Sequence, residues 1–212
     1  MKKLLTIFML GASLASFAQH SAKDFFTDKK IVWYGIDYSK ARFVGSFAQV
    51  KDAGALDGKA LVEKYFTGWN NVVIHEPKKY DVAKSFNKES ATNDLAAVTK
   101  VNSETNPTGI MQENPYTLEA SEIPGMIAKY QGGTEKNGIA AVFIAESYDH
   151  NRESGSYYVV VFDITTKKVL IQEKYSVKPG GFGVRNYWAK TIFETLKEIS
   201  DEYNKWKKSY SK

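Results

Sequence analysis

The sequence predicts a single α/β domain, on the border with α+β, whose mixed sheet ends in a C-terminal antiparallel three-strand meander packed by amphipathic helices. Three observations carry the prediction. Ile139–Val177 holds three β-rich runs, with Tyr157-Tyr158-Val159-Val160-Val161-Phe162 in the middle. A strand-like run, a helical pattern and a second short apolar run follow one another between Ile31 and Ile74. The C-terminal segment repeats apolar residues at helical spacing. The middle run of the meander has no polar alternation, so both of its faces should be covered. The runs before and after it are Ile139–Ala145 and Val169–Tyr175. They join it through a polar, glycine-containing connection at Asp149–Gly155 and a short turn at Thr165–Lys168. The last run alternates: Val169, Ile171, Tyr175 and Val177 should face one way and Gln172, Lys174 and Ser176 the other, as on a half-buried strand toward an edge.

In chain order, Met1–Ala18 has the three parts of a secretory signal peptide. These are the basic Lys2-Lys3, the apolar Leu4–Ala12, and Ser16-Phe17-Ala18 with small residues at the positions a peptidase reads. Cleavage is expected after Ala18, since the apolar run is shorter than the roughly 20 residues of a membrane span. Residues 19–30 read as a polar leader, and 31–212 as the domain. Ile31–Tyr38 is β-branched and aromatic, hence a strand. Asp57 can cap a helix from about Gly58 to Trp69, with Leu61, Val62, Tyr65, Phe66 and Trp69 on one face. Asn70-Asn71 should break it, leaving Val72-Val73-Ile74 as a short buried strand and the whole as a crossover unit. Between Lys78 and Asn106 the pattern is ambiguous. Tyr80–Phe86 fits one or two helical turns, and Asp94–Val98 fits either a helix or a strand. Ser121 is expected to cap a helix carrying Ile123, Met126, Ile127 and Tyr130, with Pro124 in its first turn.

Trp188, Ile192, Leu196, Ile199, Tyr203 and Trp206 form one stripe on a helix predicted over 185–207. Burying each aliphatic member stabilises by about 1.5–3 kcal/mol. The exposed pairs Lys190–Glu194 and Asp201–Lys205 add only about 0.2–0.5 kcal/mol each. Packing therefore holds this helix down.

Composition narrows the function classes. There are 29 basic and 24 acidic residues in 212, a formal charge of +5 that loses two units with Lys2 and Lys3, and the basic residues are dispersed. A nucleic-acid reader concentrates them on one face. The chain has no cysteine, so it forms no disulfide, thiolate metal site, cysteine nucleophile or lipidated cysteine. No second apolar span follows the leader, so the mature chain is expected to be exported, periplasmic or extracellular, with no stable membrane insertion.

No catalytic constellation is legible. His20, His75 and His150 are scattered without metal-ligand spacing, no GxSxG or GxGxxG occurs, and nothing calls for a cofactor or metal. The stretch Pro179–Trp188 stands apart. Gly180, Gly181 and Gly183 permit positive φ or close approach, and they open onto a helix start, where N–H groups attract anions. Arg185, Asn186 and Tyr187 follow at once. These six residues make a polar and aromatic cradle, or else a plain strand-to-helix turn in which Arg185 or Asn186 caps the helix and Trp188 belongs to the core. Arg185 and Asn186 converging in an open pocket would mark a ligand site; turned inward as caps, they would mark a scaffold turn.

The hairpin Tyr158–Leu170, in which an apolar strand ends in Asp163 and a Thr-containing turn leads into a second apolar strand, resembles one found in bacterial envelope proteins. It is similar to the α/β domain of the curli-secretion lipoprotein, the outer-membrane activator of penicillin-binding proteins, and the TolB amino-terminal domain. The closing amphipathic helix is similar too, so the resemblance covers about 139–207. This chain departs in lacking a lipid-anchor cysteine and in carrying Lys167-Lys168 where a turn glycine is usual. The leader and the Gly181–Trp188 stretch also look like secreted Bacteroidota proteins without an assigned activity. The resemblance implies an envelope location and carries no site residue across. The expected function is that of a secreted or periplasmic, non-catalytic module binding another envelope protein. The alternative is a glycan- or anion-binding protein, or a hydrolase, using Pro179–Trp188.

Overall fold

The computed structural model describes residues 19–47 and 56–211. The leader, on which the signal-peptide expectation rests, lies outside them. The elements are α1 (Ala22–Thr27), β1 (Lys30–Asp37), β2 (Arg42–Val44), α2 (Gly58–Ala60), a π-helical segment (Leu61–Tyr65), α3 (Phe66–His75), α4 (Val82–Ser85), β3 (Ser90–Asn93), α5 (Ala96–Ser103), β4 (Met111–Gln112), a 3-10 turn (Ala120–Glu122), α6 (Ile123–Ile127), β5 (Ile139–Asp149), β6 (Ser154–Asp163), β7 (Val169–Val177) and α7 (Gly183–Tyr210).

β5 is buried along its whole length and organises the sheet. β6 pairs antiparallel along one side of it, and β7 pairs antiparallel with β6. On the other side β1 and β2 lie end to end, both parallel to β5: β1 takes Ala140–Ile144 and β2 takes Ser147–Asp149. β3 pairs parallel with β1, and β4 with β2. The fold is therefore mixed α/β with a C-terminal meander. β6 is buried on both faces, as its unbroken apolar run requires.

Helices cover both faces. α1, the α2–α3 helix, α4 and α7 pack on one face, against Trp33, Phe143, Tyr157, Val159 and Ile171. α5, α6 and Leu118 cover the other, against Val32, Val142, Val160 and Phe162. The α7 stripe from Trp188 to Trp206 is buried throughout, and Trp206 Nε1 donates to Tyr175 Oη at 3.0 Å.

Three bulges decide which residues point inward. On β1, Trp33 pairs with Ala141 and Ile36 with Phe143, so β1 spends one extra residue. Gly35 takes that step at φ +95°, where a Cβ would stand 2.5 Å from Asn70 Oδ1. Asn70 Oδ1 accepts the Ile36 N–H at 2.7 Å, and its Nδ2 donates to Ile36 O at 3.0 Å and Phe66 O at 3.2 Å. Asn102 of α5 accepts the Tyr38 N–H at 2.7 Å and donates to Ile36 O at 2.9 Å. The bulge is thus clamped by one buried asparagine from a helix on each face. On β5, Glu146 is the extra residue between Ala145 and Ser147. It is buried, accepts the Leu118 N–H at 2.8 Å, and meets Lys174 Nζ at 2.7 Å. On β7 the extra residue is Leu170, so Val169 packs with Phe162 on the second face while Ile171 and Tyr175 face the first. Strict alternation from Val169 does not hold for that reason.

Other expectations change as well. Val72–Ile74 is helical, because the three-four spacing of Phe66 and Trp69 runs on to Val72 and Val73. The strand that closes the crossover is β3, parallel to β1. Ser121 lies inside the 3-10 turn, and α6 follows without a side-chain cap. Asp94–Val98 leads into helix α5. The polar leader contains α1, whose capping box pairs Ser21 with Asp24 and whose Phe25 is fully buried. Lys88 Nζ closes the other end of that helix on the carbonyls of Phe25 and Asp28.

Candidate binding surface

The C-terminal ends of β2 and β5 lie side by side, with Val44 paired to Asp149, and the β5–β6 hairpin tip continues beyond them. Asp149 is buried and shapes the tip by accepting the Arg152 N–H at 2.9 Å. The His150 N–H donates to Val44 O at 2.9 Å, and the half-buried His150 ring sits 5.6 Å from Phe47 and 6.4 Å from Tyr187. Gly45, at φ +90°, leaves the space that Asn151 fills, since a Cβ there would come within 2.5 Å of Asn151 Oδ1.

The start of α7 reaches this same rim. Gly181 and Gly183 have φ of +104° and +77°, values that favour glycine, so two of the three glycines are required by the turn. Gly180 has no such φ; a Cβ on it would stand 3.0 Å from Lys190 Cδ, and its N–H donates to Tyr187 O at 2.9 Å. Val184 and Trp188 are buried and fix the helix start to the core. Trp69 Nε1 donates to Arg185 O at 3.0 Å, which ties α3 to the first turn of α7.

The exposed side chains of that turn bind one another. Arg185 donates to Glu76 Oε1 at 2.9 Å and to Asn186 Oδ1 at 2.8 Å, and Asn186 Nδ2 donates to Phe182 O at 3.2 Å. Arg185 and Asn186 are on the surface, neither converging in a pocket nor turned inward. The Arg185–Glu76 pair is half-exposed, so it is worth at most about 1 kcal/mol. Tyr187 is half-buried against Trp188, their rings 5.0 Å apart and edge to face. Burial, and secondarily the charge of Glu153, raise its hydroxyl pKa, which keeps it a neutral donor.

The structure thus groups Gly180, Gly181, Gly183, Arg185, Asn186 and Tyr187 on one rim, and adds residues the sequence did not single out. Phe182, at the N-cap of α7, is 64% exposed, and among the described residues it stands out as the exposed large hydrophobic side chain. Its signal was present in the sequence, as a bulky apolar residue between Gly181 and Gly183 in a polar turn. His150, Phe47 and Glu76 come from distant parts of the chain, and nothing in their local sequence places them here. His75, read as following a strand, ends helix α3.

Among the described residues, no group of three or more His, Asp or Glu side chains is arranged to hold a metal ion, and no helix is long and apolar enough to cross a membrane. The rim offers an aromatic side chain, a guanidinium that donates to two partners, and a carboxamide. The chain matches no protein-family model and no curated protein.

Proposed function

We propose that the mature chain is an exported, non-catalytic module of the cell envelope that binds another protein through the rim formed by Phe182, Arg185, Asn186 and Tyr187. The observation that carries this reading is Phe182, a large apolar side chain that is 64% exposed at the start of the longest helix. Exposed aromatic residues beside arginine are the composition of interface hot spots, where a few side chains supply most of the affinity. The turn beneath is rigid, being fixed by the Trp69–Arg185 bond and the buried Trp188, so little conformational entropy is lost on binding. The leader sequence and the resemblance to an envelope domain support the location. The engagement of Arg185 by Glu76 and Asn186 weighs against the anion-binding alternative.

The test is a photo-crosslinking amino acid placed at Phe182 in the full chain, irradiated in intact envelopes, beside a second probe at the distant exposed residue Lys129. We expect one discrete protein adduct at Phe182 and none at Lys129. Purified Phe182→Ser, with an unchanged melting temperature, should lose that partner in a pull-down. Retention of the partner by Phe182→Ser refutes the rim as the binding surface.

A further inference from the structure

We propose that Gln19, exposed by removal of the leader after Ala18, is converted to a pyroglutamyl residue, so that the mature protein begins with a lactam and has no terminal amine. This inference rests on the export reading above. What the structure adds is the way the next residue is held. The His20 N–H donates to Asp163 Oδ2 at 3.1 Å, and its ring Nδ1 lies 2.6 Å from the same oxygen. Asp163 itself is buried, and its other oxygen accepts from Thr166 N at 2.7 Å and Thr166 Oγ1 at 2.9 Å. His20 is therefore docked on the β6–β7 turn through both backbone and side chain, while Gln19 is exposed.

Cyclisation is compatible with this dock. The ring contains only the backbone nitrogen, Cα, Cβ, Cγ and Cδ of Gln19, so closing it moves no atom of His20 and breaks neither bond to Asp163. The Gln19 α-amine, in its neutral form, attacks its own side-chain Cδ. An N–Cδ bond forms, the bond from Cδ to the carboxamide nitrogen breaks, and that nitrogen leaves as ammonia, carrying a proton from the attacking amine. The step is an internal aminolysis and needs no oxidant, reductant or second substrate. The α-amine has an ordinary pKa of about 7.7–8.0, so a fraction of it is nucleophilic at neutral pH. The five-membered ring is specific to glutamine among the carboxamides, because asparagine would have to close a four-membered one. A blocked end followed by a docked His20 leaves no free amine from which an aminopeptidase could start.

The experiment is to express the full chain with its leader in an exporting bacterial host, purify the secreted form, and determine its first residue by tandem mass spectrometry and stepwise N-terminal sequencing. The expected N-terminal tryptic peptide is Gln19–Lys23, lighter by one ammonia, resistant to sequencing until treated with pyroglutamyl aminopeptidase. Gln19→Asn should be cleaved at the same place, fold with the same melting temperature, and sequence freely. Chains that begin at Gln19 with an intact amine overturn the lactam and leave export standing. Chains that retain Met1, or that begin at His20 or beyond, overturn the lactam together with the Ala18 cleavage.

Discussion

Asn70→Ala separates two accounts of helix α3. If Asn70 is only a poor helix former, alanine stabilises the helix by up to about 0.7 kcal/mol. In the structure, Asn70 is buried and its Oδ1 is the acceptor for the Ile36 N–H at the β1 bulge. Ile36 O keeps a second donor in Asn102, whereas the Ile36 N–H loses the acceptor that Asn70 Oδ1 supplies. An orphaned buried N–H costs about 1–3 kcal/mol. Setting the propensity gain against it leaves a net loss of about 0.3–2.3 kcal/mol. The assay is urea unfolding followed by far-ultraviolet circular dichroism. With a slope of about 2 kcal/mol per molar, the midpoint should fall by up to about one molar. Asn71→Ala is the control, since Asn71 is exposed and should show the small gain instead. An Asn70→Ala midpoint equal to or above the parent's would refute the clamp.

Leu196→Asp places an unpaired carboxylate in the centre of the α7 stripe, where Leu196 is 2% exposed; it should cost more than about 3 kcal/mol or abolish folding, and an unchanged midpoint would dispose of the stripe. Burial pushes the Asp163 carboxyl up, but the hydrogen bonds from Thr166 and His20 outweigh it and hold its pKa down to about 2. A depressed carboxylate stabilises above its unfolded pKa, so this contribution is present above the ordinary value of 3.8 and lost as pH falls toward about 2. Asp163→Asn should therefore be less stable than the parent at neutral pH and should lose less between pH 4 and 2, read as chemical-denaturation midpoints. Burial lowers the Lys88 ammonium to about 8, with Asp28 opposing. A depressed cation destabilises the fold below its folded pKa, so parental stability should rise as pH climbs from about 8 toward the unfolded value near 10.5, a slope that Lys88→Met should remove.

Much of this fold was legible because it is written in local periodicity. The unbroken apolar run at Tyr157–Phe162 reads as a strand covered on both sides because it is β-branched and aromatic and is bounded by turn signals, and the stripe from Trp188 to Trp206 reads as the face of a helix on a core. Both hold without reference to the rest of the chain. The glycines at 180, 181 and 183 likewise announced a turn whose backbone needed positive φ, and two of them have it. Val72–Ile74 was misread because a short apolar run satisfies a strand and a helix equally. The choice lay with Asn70, whose low helix propensity is overridden by bonds to a strand far away in sequence.

What the sequence by itself determined is the class of the domain, the meander, the long closing helix and the position of the glycine turn, since each depends on side chains a few residues apart. What only the tertiary structure decided is where alternation fails and which residues share the rim. The bulges at Gly35, Glu146 and Leu170 exist because partners across the sheet and from the covering helices satisfy the extra residue. Phe182, Arg185, Glu76 and His150 are neighbours because the ends of α3, β5 and α7 meet at one rim. Contacts of that kind depend on the register between distant elements, and no window along the chain contains that information.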